Sequence, residues 1–172
     1  MAGPSRGKVR VNDSGWRTVK VNALQIGDRA LRVGVIGSEA AHEREDGITT
    51  GRLAGVHEYG AAIKVGDTVI LIPERSFIRA PIAQNQRAYS SFIERNLEKV
   101  LTGRVSVDRF LGLLGAKVVG DMQAAIAKGI EPPNAASTIA RKKSSKPLVD
   151  TGLLRQSITW AVVDADDVED AG

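Results

Sequence analysis

The sequence predicts an α+β fold, a mostly antiparallel sheet packed with two long helices and several short ones, and three observations carry that prediction. Apolar residues recur at three- to four-residue steps through two long stretches, from Phe77 to Leu101 and from Ser106 to Ile126, which is the period of a helix. Shorter β-rich runs occur around Leu31, Thr68 and Ile158. The order strand, short helix, strand, two long helices, strand does not repeat as βαβ units.

Taken in order, Lys8 to Val11 and Thr18 to Val21 alternate polar and apolar residues around the turn-rich NDSGW, which predicts two short strands in a hairpin. ALRVGVIG predicts a strand with Leu31, Val33 and Val35 on one face, and the charged SEAAHEREDG after it an exposed loop. Thr49 or Thr50 can cap a short helix that buries Leu53 and Val56 and stops at Gly60. TVILI, after Asp67, reads as a buried strand. In the first long helix the stripe is Ile78, Ile82, Tyr89, Ile93, Leu97 and Val100, ended by Gly103. Ser106 opens the second, whose stripe is Val107, Phe110, Leu114, Val118, Met122 and Ile126. The segment from Gly129 to Pro147 is rich in Pro, Ser and Lys and longer than most connections inside a domain. SITWAVV closes the pattern as a strand alternating Ile158, Trp160 and Val162.

A chain of 172 residues is long enough for one domain with a substantial core. That domain is expected over residues 1–163, with a strand-rich extension over 1–30 and a mobile acidic tail over 164–172. Hydrophobic content of 42% and charged content of 26% are ordinary for a globular protein. No long uncharged apolar run offers a membrane span, and the start, MAGPSRGKVR, lacks the apolar core of an export signal. With no cysteine, disulfides and thiolate zinc sites are excluded. A net charge of +4 falls short of the dense basic surface of a dedicated DNA binder. The charge is nevertheless clustered: Arg141, Lys142, Lys143 and Lys146 make a basic loop, and Asp164, Asp166, Asp167, Glu169 and Asp170 an acidic end.

One tripeptide suggests chemistry. Asp150-Thr151-Gly152 matches the turn that carries the catalytic carboxylate of retroviral-type aspartic proteases, where two such carboxylates share a proton and activate a water. Here LLRQSI follows, with Leu153, Leu154 and Ile158 at helical spacing, and a side-chain oxygen from Asp150 or Thr151 capping a helix accounts for the motif without catalysis. His57-Glu58 lacks the second histidine of a zinc-protease helix, His42 stands alone, and no glycine-rich phosphate cradle follows a strand. No catalytic residue, cofactor or metal is expected.

Three stretches together carry a resemblance: GVHEYG at Gly55 to Gly60, IPERSFIRAPI at Ile72 to Ile82, and PPNAASTIARKKSSKPLVDTGLLRQSITW from Pro132. They resemble the neck and tail-completion proteins of tailed bacteriophages, the group that includes Mu-like virion morphogenesis proteins. The resemblance runs from Leu31 to Val163 and rests on Glu58, Gly60, Pro73, Arg75, Phe77, Arg79, Pro132, Pro133, Asn134, Asp150, Thr151 and Gly152. Ser76 departs from it, since a proline is common there. It implies a virion protein without enzymatic activity that forms a homo-oligomeric ring at the head–tail junction, as tail terminator, tail-completion or head-completion protein. Its implied partners are further copies of itself, neighbouring connector and tail-tube proteins, and the DNA that passes through the ring. The loop with Arg141, Lys142, Lys143 and Lys146 is a candidate subunit-interface or DNA-facing arm, or else a solvated connection. Residue by residue, Pro73 ends a strand, Phe77 and Ile78 enter the core, and Arg75 and Arg79 sit four apart on the solvent side of a helix. The alternatives to the ring are an aspartic protease at Asp150 and a small DNA-binding accessory protein using the basic loop.

Overall fold

A computed structural model of the chain describes residues 14–43, 47–133 and 152–169. The elements are α1 (Ser14–Gly27), β1 (Arg29–Val35), α2 (Gly37–Ala41), α3 (Thr50–Tyr59), β2 (Ala61–Val65), β3 (Thr68–Ile72), α4 (Arg79–Leu101), α5 (Val107–Lys128), α6 (Leu153–Gln156), β4 (Ile158–Asp164) and α7 (Asp166–Glu169). The fold is α+β, with β1 antiparallel to β4 in one two-stranded sheet and β2 antiparallel to β3 in another.

The core forms where α5 crosses the β1–β4 sheet. All six residues of its expected stripe, Val107, Phe110, Leu114, Val118, Met122 and Ile126, are buried, and Ser106 caps the helix by accepting from the Arg109 amide. By length and composition α5 could cross a membrane, with a mean hydropathy of 1.3, yet its apolar stripe is spent on this core. Register pairs Leu31 with Val162, Val33 with Trp160 and Val35 with Ile158, so both strands turn their apolar residues to one face. Trp160 lies flat on α5 because α5 carries glycine beneath it. A Cβ at Gly115 would stand 2.7 Å from Trp160 Cγ and 2.9 Å from Leu31 Cδ1, and one at Gly112 would stand 2.9 Å from the ring edge of Trp160.

Helix α4 packs on the outer side of α5, with Phe92 stacked on Phe110 at a ring separation of 6.0 Å. Its expected stripe is only partly covered: Tyr89 and Val100 are buried, while Ile82, Ile93 and Leu97 are exposed. Around Tyr89, Lys117 reaches over the ring and pairs with Asp121 at 3.2 Å. Burial, and then the Asp121 carboxylate, push the Tyr89 hydroxyl pKa up.

Four expectations are corrected. Thr18 to Val21 is helix rather than strand, because Val19, Asn22 and Ile26 fall on one face at helical spacing. Asn22 donates to the carbonyls of Val100 and Leu101 at 3.1 Å each, so α1 closes the C-terminus of α4. The extension over 1–30 is therefore helical where described and runs into β1, while Lys8 to Val11 lie outside the described residues. SEAAHEREDG is not all loop, since α2 forms and Glu43 bridges to Thr49. The acidic end is partly ordered: Asp164 pairs with Arg29, the Ala165 amide donates to the Asp28 carbonyl at 2.9 Å, and α7 follows. Finally, β3 forms as a strand but is exposed, not buried.

Candidate functional site: a charged clamp at the root of an apolar arm

Helix α3 is capped by Thr49, which accepts from the Arg52 amide, and it buries Thr50, Ala54 and Glu58, one residue per turn, rather than Leu53 and Val56. That row places Glu58, only 3% exposed, against the start of α4. Its carboxylate accepts from the Ser76 hydroxyl at 2.7 Å, the Ile78 amide at 2.9 Å, the Arg79 amide at 3.0 Å and Arg79 Nε at 2.9 Å.

A helix start leaves four amide positions without intrahelical partners, and here each is accounted for. The Ile78 and Arg79 amides are held by Glu58, the Ala80 amide donates to Ser76 Oγ at 3.1 Å, and Pro81 has no N–H. Helix α4 is thus capped by a carboxylate from a different helix, which suits the positive end of its dipole. Burial acts to raise the Glu58 pKa. The Arg79 and Ile78 amides, the Ser76 hydroxyl and the Arg79 guanidinium outweigh it, so the carboxyl stays below its ordinary range.

Arg79 ties the clamp to its surroundings. Its Nη2 donates to the Glu58 carbonyl at 3.0 Å and to Glu74 at 2.7 Å, and its guanidinium lies 4.5 Å from the centroid of the Tyr59 ring. Hydrogen bonding to Glu58 raises its pKa above the ordinary guanidinium value. Arg75 corrects the expectation of a solvent-side helix residue, because it precedes α4 and is only 5% exposed. Its amide donates to the His57 carbonyl at 2.7 Å, and its side chain to the carbonyls of Pro132 at 2.8 Å and Pro133 at 3.1 Å. Burial lowers its pKa. Phe77, fully buried beside them, anchors the segment in the core.

The clamp stands at the root of β2 and β3. Gly60 opens this hairpin at φ 73°, and a Cβ there would come within 2.9 Å of the Ile72 carbonyl and 3.0 Å of the Glu74 amide, so the two legs meet only because residue 60 is glycine. Beyond Gly60 and Pro73 the hairpin projects as an arm. Ile63 is 42% exposed, Ile70 50%, Val69 58% and Leu71 75%. Periodicity could not reveal this, since four apolar residues in succession read as a strand covered on both faces.

The sequence-predicted residues therefore divide. Glu58, Gly60, Pro73, Arg75, Phe77, Arg79, Pro132 and Pro133 converge on the clamp. Gly152 lies elsewhere, at the N-cap position of α6 with φ 69° and no side-chain cap. A four-residue helix follows it and buries Leu154, but it ends at Gln156, and Ile158, expected at helical spacing, is buried as the first residue of β4. Asn134, Arg141, Lys142, Lys143, Lys146, Asp150 and Thr151 lie outside the described residues. Among the described residues no group of three or more His, Asp or Glu side chains could hold a metal ion. No protein-family model, no curated protein and no solved structure matches this chain.

Proposed function

We propose that this protein is a structural component of a tailed-phage virion, assembling as a homo-oligomeric ring in the neck, either terminating the tail or completing the head, with DNA passing through the ring and no reaction catalysed. The observation that carries this reading is the convergence of its separate motif blocks. Glu58 and Gly60 come from the first block, Pro73, Arg75, Phe77 and Arg79 from the second, and Pro132 and Pro133 from the third, yet they touch one another. Short motifs matched by accident have no reason to meet in space. A projecting apolar arm also suits a protein whose working state is an assembly.

The test is a phage lacking this gene. Filled heads and separate tails, or tails of abnormal length, are expected in electron micrographs of the lysate, with infectivity restored by the gene in trans. Normal joined virions would refute the proposal. Cleavage of a peptide by the wild-type protein, lost in Asp150→Asn, would replace it with the aspartic protease reading.

A further inference from the structure

We infer that the Arg75 guanidinium is a binding site for a carboxylate, which docks on the edge of the fork that the fold leaves unused, at the root of the β2–β3 arm. The inference goes beyond the neck reading and does not depend on it.

Charge is shared unevenly around the clamp. Glu58 and Glu74 are both taken by Arg79, whose side chain is half exposed and lies over the Tyr59 ring. Arg75 is only 5% exposed, yet among the described residues its side chain meets no carboxylate. Its partners are the carbonyls of Pro132 and Pro133. Burial lowers its pKa, and no neighbouring charge offsets that effect. Arginine is rarely buried without an ionic partner, and an apolar side chain of similar size fills such a place without electrostatic cost. An anion arriving from outside accounts for a cation kept there.

The shape of the guanidinium selects the anion. It has five N–H donors in a rigid fork. Nε and one Nη2 hydrogen spend the side edge on the two consecutive carbonyls, at 2.8 Å and 3.1 Å. The end edge, Nη1 and the second Nη2 hydrogen, makes no hydrogen bond among the described residues, and Nη1 is not sealed from solvent. Two N–H groups pointing the same way match the two oxygens of a carboxylate, the bidentate pairing that arginine forms well. A residue this enclosed admits a flat group edge-on rather than the phosphates of a duplex with their flanking sugars. The carbonyls fix the plane of the fork beforehand, so little side-chain freedom is lost on binding.

The probe is acetate. Arg75 Nε–H is held by the Pro132 carbonyl, so its NMR resonance can be followed and assigned through the side chain's own carbons. Adding sodium acetate to the full-length protein at neutral pH, with ionic strength held constant by sodium chloride, should move that resonance along a saturating curve. Those of Arg29 and Arg79, whose guanidiniums already face carboxylates, should stay in place. Acetate at about ten times its dissociation constant should raise the folded-to-unfolded ratio about eleven-fold over chloride, and Arg75→Gln should abolish the gain. The titration needs no variant, so it decides the matter even if Arg75→Gln does not fold. Sedimentation in saturating acetate identifies the source: loss of multi-subunit species means that a neighbouring copy supplies the carboxylate, and unchanged sedimentation means a free small molecule. An Arg75 resonance that does not move, or moves in step with Arg29 and Arg79, would overturn the inference, as would an equal gain in Arg75→Gln.

Discussion

Replacing Glu58 by Gln tests the clamp with the smallest change of shape. The carboxylate accepts from two backbone amides, one hydroxyl and one guanidinium. Gln keeps one acceptor oxygen but turns an NH₂ group toward donors it cannot satisfy. One amide of the α4 start is then left unpaired in a site that is 3% exposed, and an unsatisfied buried group costs about 1–3 kcal/mol. Arg79 loses an ionic partner, but at 51% side-chain exposure it recovers water, so that loss adds little. The expected loss at pH 7 is about 2 kcal/mol, or roughly 4–8 °C in midpoint for a chain of this size. The pH dependence supplies the sharper test. Because folding holds the Glu58 carboxyl below its ordinary value of 4.5, its contribution is fully present above that pH and is lost as pH falls through the folded value. Urea unfolding of both proteins followed by circular dichroism from pH 7 to pH 3 should show the difference narrowing in acid. A difference under about 0.5 kcal/mol at pH 7, or one that is constant with pH, would refute the reasoning, since lost cap bonds alone span about 0.5–2 kcal/mol.

Three further outcomes are expected. Gly115→Ala should destabilise by about 1–2 kcal/mol in urea titration, because overpacking against Trp160 and Leu31 outweighs the better helix propensity of Ala. Arg75→Lys should increase hydrogen exchange at the Ile130 and Glu131 amides, which precede the two prolines, since an ammonium cannot span the two carbonyls that the guanidinium holds; unchanged exchange there would count against the tie. Changing Arg141, Lys142, Lys143 and Lys146 to Ser should weaken assembly, measured by sedimentation, more at low salt than at high, because exposed charges are screened over about 8–10 Å near physiological ionic strength. Equal assembly at both salt concentrations would remove the loop from the interface.

The sequence was most informative where one face meets one core. In α5 the apolar positions, the Ser106 cap and the helix length are all local signals that agree with its burial. In β1 and β4 alternation works for the same reason, each strand having one covered face. It failed at Thr18 to Val21, where four residues satisfy a period of two and only the longer spacing of Val19, Asn22 and Ile26 reveals the helix. It failed differently at Thr68 to Ile72. Its apolar run identifies a strand and reads as a buried one, whereas the chain leaves it exposed, because composition reports strand propensity and not what lies against the strand. Glu58 shows a third limit. Its place in the motif was visible, whereas its capping of α4, 20 residues further along, depends on tertiary contact that no local window contains.

The clamp and the arm make more sense together than apart. A buried carboxylate with two arginines is an expensive way to join a helix to a turn, and hydrophobic packing of similar volume is often as stabilising. What ionic groups add is direction. Glu58 fixes the start of α4, Arg79 fixes Tyr59 and Glu74 on either side of the hairpin legs, and Arg75 fixes the chain after α5 to the same point. In the proposed ring, a hairpin swinging from a loose root would have to be ordered each time a neighbour covered it, at a cost set against the apolar surface so buried. With the root clamped, most of that ordering belongs to folding. Glu58→Gln should then weaken self-association at protein concentrations and temperatures where the subunit is still fully folded, whereas Gly115→Ala, which lowers stability from the far side of the core, should leave association of the folded subunit unchanged. Sedimentation of both variants well below their melting temperatures separates the two effects, and equal assembly would show that the clamp serves the fold alone.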